Sequence, residues 1–126
     1  MTKKILIWLL IIFFAANVCV AQAQQPTKIA RIAFLGVASP SSISARIDAF
    51  RQGLRELGYV EAKNIVIEYR YAENADRLPA LAAELVRLKV DAIVTGGPGS
   101  THAAKEATST IPIVMASDPD PVANGF

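Results

Sequence analysis

The sequence predicts an α/β fold, a parallel sheet with flanking helices, and three observations lead there. Four short apolar runs recur along the chain, stretches of helical period separate them, and the connections are short and rich in Gly, Ser, Pro and Asp. Runs of that length suit strands buried on both faces, and a strand–helix alternation of this kind closes as a parallel unit with right-handed crossovers. A strand order of 2-1-3-4 then puts the first helix on one face and the other two on the opposite face. That order leaves the first helix's face bare over strands three and four.

Each element has its own signal. "IARIAFLG" (29–36) is mostly apolar and ends in glycine, as a central strand does. From 43 to 58, Ile43, Ile47, Phe50, Leu54 and Leu57 fall at alternating spacings of four and three, one helical stripe with the charged residues mostly off it. Gly58 suits a left-handed cap. "NIVIEYRYAE" (64–73) alternates Ile65, Ile67, Tyr69 and Tyr71 with Val66, Glu68 and Arg70, a strand near an edge. Asp76 is the expected N-cap of the second helix and Pro79 sits in its first turn, with Leu78, Leu81, Ala82, Leu85 and Leu88 as its buried face. "VDAIVT" (90–95) is the third strand, "STHAAKEAT" (100–108) a short helix and "IPIVMAS" (111–117) the fourth strand. Neither an internal repeat nor a low-complexity segment interrupts them.

The first residues read differently. Lys3 and Lys4 precede an apolar core from Ile5 to Ala16, and Ala21-Gln22-Ala23 is a small-x-small site, the order of a secretory signal cleaved after Ala23. Residues 1–23 are thus expected to be a cleaved signal peptide that sends the protein to the periplasm, and 24–126 the folded α/β lobe. Cys19 follows Val18, where a lipoprotein signal wants a small residue, so it reads as an ordinary signal residue. Without the signal no cysteine remains, and thiol or disulfide chemistry goes with it. Eleven Lys and Arg then balance eleven Asp and Glu. No basic run or aromatic cluster marks a nucleic-acid surface, so DNA and RNA are not expected partners.

In such sheets ligands sit beyond the carboxyl ends of the strands. Three loops are expected there: Val37 to Ser42, Gly96 to Ser100 and Ser117 to Pro121. Tight turns have this composition whatever their role, but three polar loops converging on one edge make a binding rim. Enzyme chemistry fits it poorly. Gly99 is followed by Ser100 and Thr101, where a Walker A loop needs lysine, and the third glycine of a dinucleotide fingerprint is missing. His102 is the sole histidine and has no cysteine partner for zinc, and no G-x-S-x-G elbow occurs. Asp118 and Asp120 form a D-P-D-P turn rather than an acid/base pair. No catalytic residue, metal or cofactor is expected.

The stretch "AFRQGLRELGYVEAKNIVIEYRYAENADRLPALAAELVRLKVDAIVT" with the later "AAKEATSTIPIVMASDPDPV" resembles the periplasmic substrate-binding proteins of ABC uptake systems. Its subfamily has relatives that bind aromatic amino acids or similar small solutes. "FRQGLRELGYVE", "NIVIEYR", "RLPALAAELV" and "DPV" carry the likeness, which runs from about Ile32 to Gly125. It implies a type I periplasmic-binding lobe that closes with a second lobe on a small solute such as an amino acid and delivers it to an ABC permease in the inner membrane. The second lobe is absent from this sequence, which reads as a truncated product carrying most of the first.

A small carboxylate suits the Gly96–Ser100 loop better than a nucleotide phosphate does. Gly97 and Gly99 would admit it, and the amides of Ser100, Thr101 and His102 at a positive helix end would meet it. Ser39, Ser41 and Ser42 on the first loop, with Ser117 and Asp118 on the last, could add hydrogen bonds, Asp118 to an ammonium. Two other classes stay open, the ligand-sensing ectodomain of a membrane receptor and a fragment of an α/β enzyme.

Overall fold

A computed structural model describes residues 2–9 and 28–126. Residues 2–9 are helical, and among the described residues no helix is long and apolar enough to cross a membrane. The cleavage site expected after Ala23 lies outside the described residues.

The elements are β1 (Ala30–Val37), α1 (Pro40–Glu56), β2 (Ile65–Ala72), a single 3₁₀ turn (Ala75–Arg77), α2 (Leu78–Arg87), β3 (Ala92–Thr95), α3 (Pro98–Ala107) and β4 (Ile113–Met115). The strands form one sheet in the order β2-β1-β3-β4, every pair parallel. Phe34 lies opposite both Tyr69 and Val94, and Val94 opposite Val114. This is the parallel sheet with flanking helices that the sequence predicts, and its strand order is the 2-1-3-4 from which the expected cover of the two faces follows.

Two cores lie on the two faces. Ala33, Leu35, Ile93 and Ala72 pack under α2 and α3 with Leu78, Ala82, Leu85, Ala103 and Ala104. Phe34 and Val94 pack under α1 with Ile43 and Ile47, flanked by Phe50, Tyr69 and Tyr71. Right-handed crossovers dictate this division, because α1 leads from β1 outward to β2 while α2 and α3 run the other way along the sheet. The expectation of a bare face over both β3 and β4 holds only at β4. Val94 is 6 % exposed, whereas Val114 is 52 % exposed. The Phe34 and Phe50 rings, 6.3 Å apart, carry the α1 core as far as β3.

The helix ends show where local chemistry corrects the sequence reading. α1 starts at Pro40, whose fixed φ suits a first turn, and ends at Glu56. Leu57 therefore leaves the apolar stripe and is 75 % exposed. Gly58 then takes φ 86°, and the amide of Tyr59 donates to the Leu54 carbonyl, closing the helix. Asp76 caps nothing. It lies inside the 3₁₀ turn, and α2 begins after Arg77 without a side-chain cap. Leu78, Ala82 and Leu85 are buried as expected, with Leu81 and Leu88 packed against them.

Candidate functional site

Parallel strands bring their following loops to one edge of the sheet. The amide of Gly96 donates to Leu35 O at 2.9 Å and that of Ala116 to Thr95 O at 3.0 Å, so the chain leaves β1, β3 and β4 side by side. The same geometry places a fourth loop there, Glu73 to Arg77 after β2, which the sequence reading omits. A cleft of about 590 Å³ runs from Ala38 and Ser39 to Tyr69, Tyr71 and Glu73. A smaller one of about 150 Å³ lies between Tyr71, Glu73 and Arg77. Burial pushes the Tyr69 and Tyr71 hydroxyls above their ordinary pKa of 10.0, so both stay neutral hydrogen-bonding groups. The parallel topology was itself the signal for this loop.

α1 begins three residues before the expected Ile43, so only Ser39 lies in the first loop while Ser41 and Ser42 sit in the first turn of the helix, and all three are exposed. Ser39 Oγ is 3.1 Å from Ser41 Oγ and donates to Ser42 Oγ at 3.2 Å, while Ser42 Oγ donates to the Ser39 carbonyl at 2.9 Å. These hydroxyls occupy one another and face water, so a solute exchanges existing bonds for new ones there.

The loop after β3 departs from expectation. α3 begins at Pro98, two residues early, because proline lacks the amide that a first turn leaves free. The amide of Thr101 is thus already used, donating to Gly97 O at 3.0 Å. The amides without a partner inside the helix move back to Gly99 and Ser100, and those of Thr101 and His102 drop out. Thr101 is 2 % exposed, and its hydroxyl lies 2.7 Å from Thr95 Oγ1. Ser100 is equally buried. Gly99 is exposed, but a Cβ on it would meet Leu78 Cδ1 at 3.5 Å, so its missing side chain faces α2 rather than the open rim. Gly96 has the tighter approach: a Cβ there would lie 3.2 Å from Phe34 Cζ.

After β4, Asp118 organises a turn. Its Oδ1 accepts from the Asp120 amide at 3.1 Å and from Asn124 Nδ2 at 2.9 Å, and Asp120 Oδ1 accepts from the Ala123 amide at 3.0 Å. Asp118 Oδ2 is shielded from solvent and finds no hydrogen-bond partner among the described residues. Ser117 is half-buried and lines a cleft of about 310 Å³ with Phe34, Phe50, Arg46 and Gly96. His102 is exposed, with its ring 4.6 Å from that of Phe126. Among the described residues no cluster of His, Cys, Asp and Glu could hold a metal.

The exposed part of the rim is therefore the three serine hydroxyls and Gly99, with Ser117 half-buried and with Ser100 and the unsatisfied Asp118 oxygen shielded behind it. Such a surface can grip a small zwitterion by hydrogen bonds. The family model described as ABC transporter substrate binding protein matches residues 29–126, which include all four loops. The chain belongs to this family. It is 35% identical over 78 residues to a protein named tyrosine-binding protein from Clostridioides difficile (strain R20291), a match covering 61% of this chain and 23% of the relative. Solved structures agree with the fold. A conserved domain protein from Vibrio cholerae O1 biovar El Tor superposes with a TM-score of 0.72 at 30% identity. The ligand-free, open form of a substrate binding protein with adhesive properties from Clostridium difficile gives 0.71 at 26%. An ABC domain in complex with L-Trp from Streptococcus pneumonia gives 0.71 at 23%. Each superposition covers 77% of this chain and 33% of the other, so the chain spans about a third of the length of these structures.

Proposed function

We propose that this chain forms one wall of the solute site in the extracytoplasmic binding component of an ABC-type uptake transporter, and that the solute is an amino acid. The family match across residues 29–126 carries the reading. The likeness to a tyrosine-binding protein supports the solute class. In this account residues 1–23 direct export to the periplasm and are removed after Ala23. A second lobe closes over the rim, and the loaded protein delivers its solute to a permease. No bond is made or broken, so the work is binding and release rather than catalysis.

The chemistry of the rim assigns roles to both ends of an amino acid. The amides of Gly99 and Ser100, at the positive end of α3, meet the carboxylate. The Asp118 carboxylate meets the ammonium as its turn shifts to uncover Oδ2, and the ammonium then supplies the donors that this oxygen lacks. The Ser39, Ser41 and Ser42 hydroxyls and that of Ser117 complete the hydrogen bonds, while Gly97 carries the chain past the ligand.

Equilibrium dialysis against L-tyrosine, tyramine and 3-(4-hydroxyphenyl)propionate tests this reading. Tyramine lacks the carboxylate and the propionate lacks the ammonium, so both are expected to bind more weakly than L-tyrosine. Asp118→Asn is expected to erase the preference for the ammonium while keeping that for the carboxylate. Equal binding of all three compounds would contradict the assignment.

A further inference from the structure

Two side chains that the solute contacts leave unused join the end of β3 to the first turn of α3. Thr95 is 0 % exposed and Thr101 2 %, and their hydroxyl oxygens lie 2.7 Å apart. Thr101 Oγ1 also donates to the Gly97 carbonyl at 3.0 Å. The carbonyl can only accept, and Thr101 has a single hydroxyl proton to give it. Thr95 must then donate to Thr101, and the chain Thr95 to Thr101 to Gly97 O satisfies all three groups in one direction. Two valines would fill the same space, and a buried hydroxyl pair adds little net stability over such isosteres. What the hydroxyls add is orientation, because they fix the Gly97 carbonyl and with it the plane of the peptide leading into Pro98.

We infer that Thr95 and Thr101 are positioning residues that hold the loop between β3 and α3 in the shape that presents the Gly99 and Ser100 amides. The inference rests on the reading of this rim as the solute wall. Thr101 contributes from beneath the rim rather than by touching the solute. A rim lacking the clasp would still fold, but would hold its amides loosely, and looseness of that kind costs a site affinity.

The test uses the chain carrying Thr95→Val with Thr101→Val, which removes both bonds and leaves no hydroxyl unpaired. Its urea midpoint should stay near that of the wild type. Hydrogen exchange at the residue 101 amide, which donates to Gly97 O, should rise about tenfold relative to that of Phe34 in β1, and L-tyrosine affinity should fall roughly tenfold. Thr101→Ser keeps the hydroxyl and should restore both readings. Thr101→Ala removes both bonds at one position and gives the same comparison, exchange at residue 101 relative to Phe34, if the double variant does not fold. Unchanged exchange at residue 101, or a rise shared equally by the whole chain, would overturn the inference. The solute reading fails separately: a wild type with protected residue 101 whose Gly99 and Ser100 amide signals ignore L-tyrosine would retire that reading and leave the clasp in place.

Discussion

The two faces of the sheet are covered in different ways. On one, α2 and α3 lie together over Leu35 and Ile93, and Ala82, Ala103 and Ala104 are buried among them. Gly99, facing Leu78, extends that close packing to the start of α3. Arg70 adds a tie from β2, with Nε and Nη2 donating to Glu84 Oε1 at 3.1 and 2.9 Å. On the other face, among the described residues, α1 works alone, and larger rings reach where a second helix would otherwise stand: Phe34 is 6.3 Å from Phe50 and 6.2 Å from Tyr71. Arg51 borders this side, its Nε donating to Glu61 at 2.9 Å and to the Tyr69 hydroxyl at 3.0 Å. Past β3 the cover ends. Val94 and Val114 are neighbours in register, yet only Val94 is buried. Strands of a parallel sheet are apolar on both sides, so the hand and reach of the connections decide which side meets water.

The largest expected effect contrasts the faces directly. Leu85→Ala, at a fully buried position under α2, should cost about 2–5 kcal/mol. Val114→Ala, on the open face, should cost less than about 0.5 kcal/mol. Urea denaturation of both variants checks this, and similar losses would show that the α1 face is as well packed as its opposite.

Next comes the buried clasp on the better-covered side. Thr101→Val alone leaves the Thr95 hydroxyl without its partner and should cost about 1–3 kcal/mol, more than the double replacement does. A double variant that loses the sum of both single changes would contradict the coupling.

A smaller effect concerns association. Exposed Val114 and the 310 Å³ cleft beside Phe34 and Phe50 leave apolar surface on the α1 face. The chain is expected to bind a hydrophobic dye and to self-associate. Val114→Lys should reduce both with little change in stability. Sedimentation and dye fluorescence measure it, and a dye-silent monomer would mean that this face is covered.

The smallest effect lies at the opposite edge of the sheet. The Arg31 amide at 2.8 Å, and then the Lys28 ammonium at 2.6 Å, hold the Asp91 carboxyl below its ordinary pKa of 3.8. A carboxyl lowered on folding contributes stability above its unfolded value and loses it as pH falls through the folded one. Asp91→Asn should therefore destabilise slightly at neutral pH and flatten the loss of stability below about pH 4. Parallel acid-denaturation curves for variant and wild type would exclude the effect.

Much of this fold was legible because its two periods are distinct. Four-to-eight-residue apolar runs and the stripe through Ile43, Ile47 and Phe50 leave few alternatives to a parallel unit, and right-handed crossovers then assign the faces. The misses are local. Pro98-Gly99 reads as loop, yet proline needs no amide and starts α3 there. Asp76 looks like a cap, but a 3₁₀ turn takes its place. The candidate site was less legible, because Ser-Thr after a glycine turn looks the same whether it faces a ligand or a core. Thr95 and Thr101 stand six residues apart, and only the return of α3 across β3 brings their hydroxyls together. Of the three exposed serines only Ser39 lies in the first loop as expected, because Pro40 starts α1 early and takes Ser41 and Ser42 into its first turn.

The central claim is that the solute meets the edge formed by the strand carboxyl ends, not the open apolar face. Backbone amide shifts measured while L-tyrosine is added test it most directly. The account predicts shifts concentrated at Ser39–Ser42, Gly97–Ser100 and Ser117–Asp120, with Asp91 and Arg31 at the far edge unmoved. Shifts centred on Val114, Phe50 and Arg46, with the rim loops silent, would contradict it.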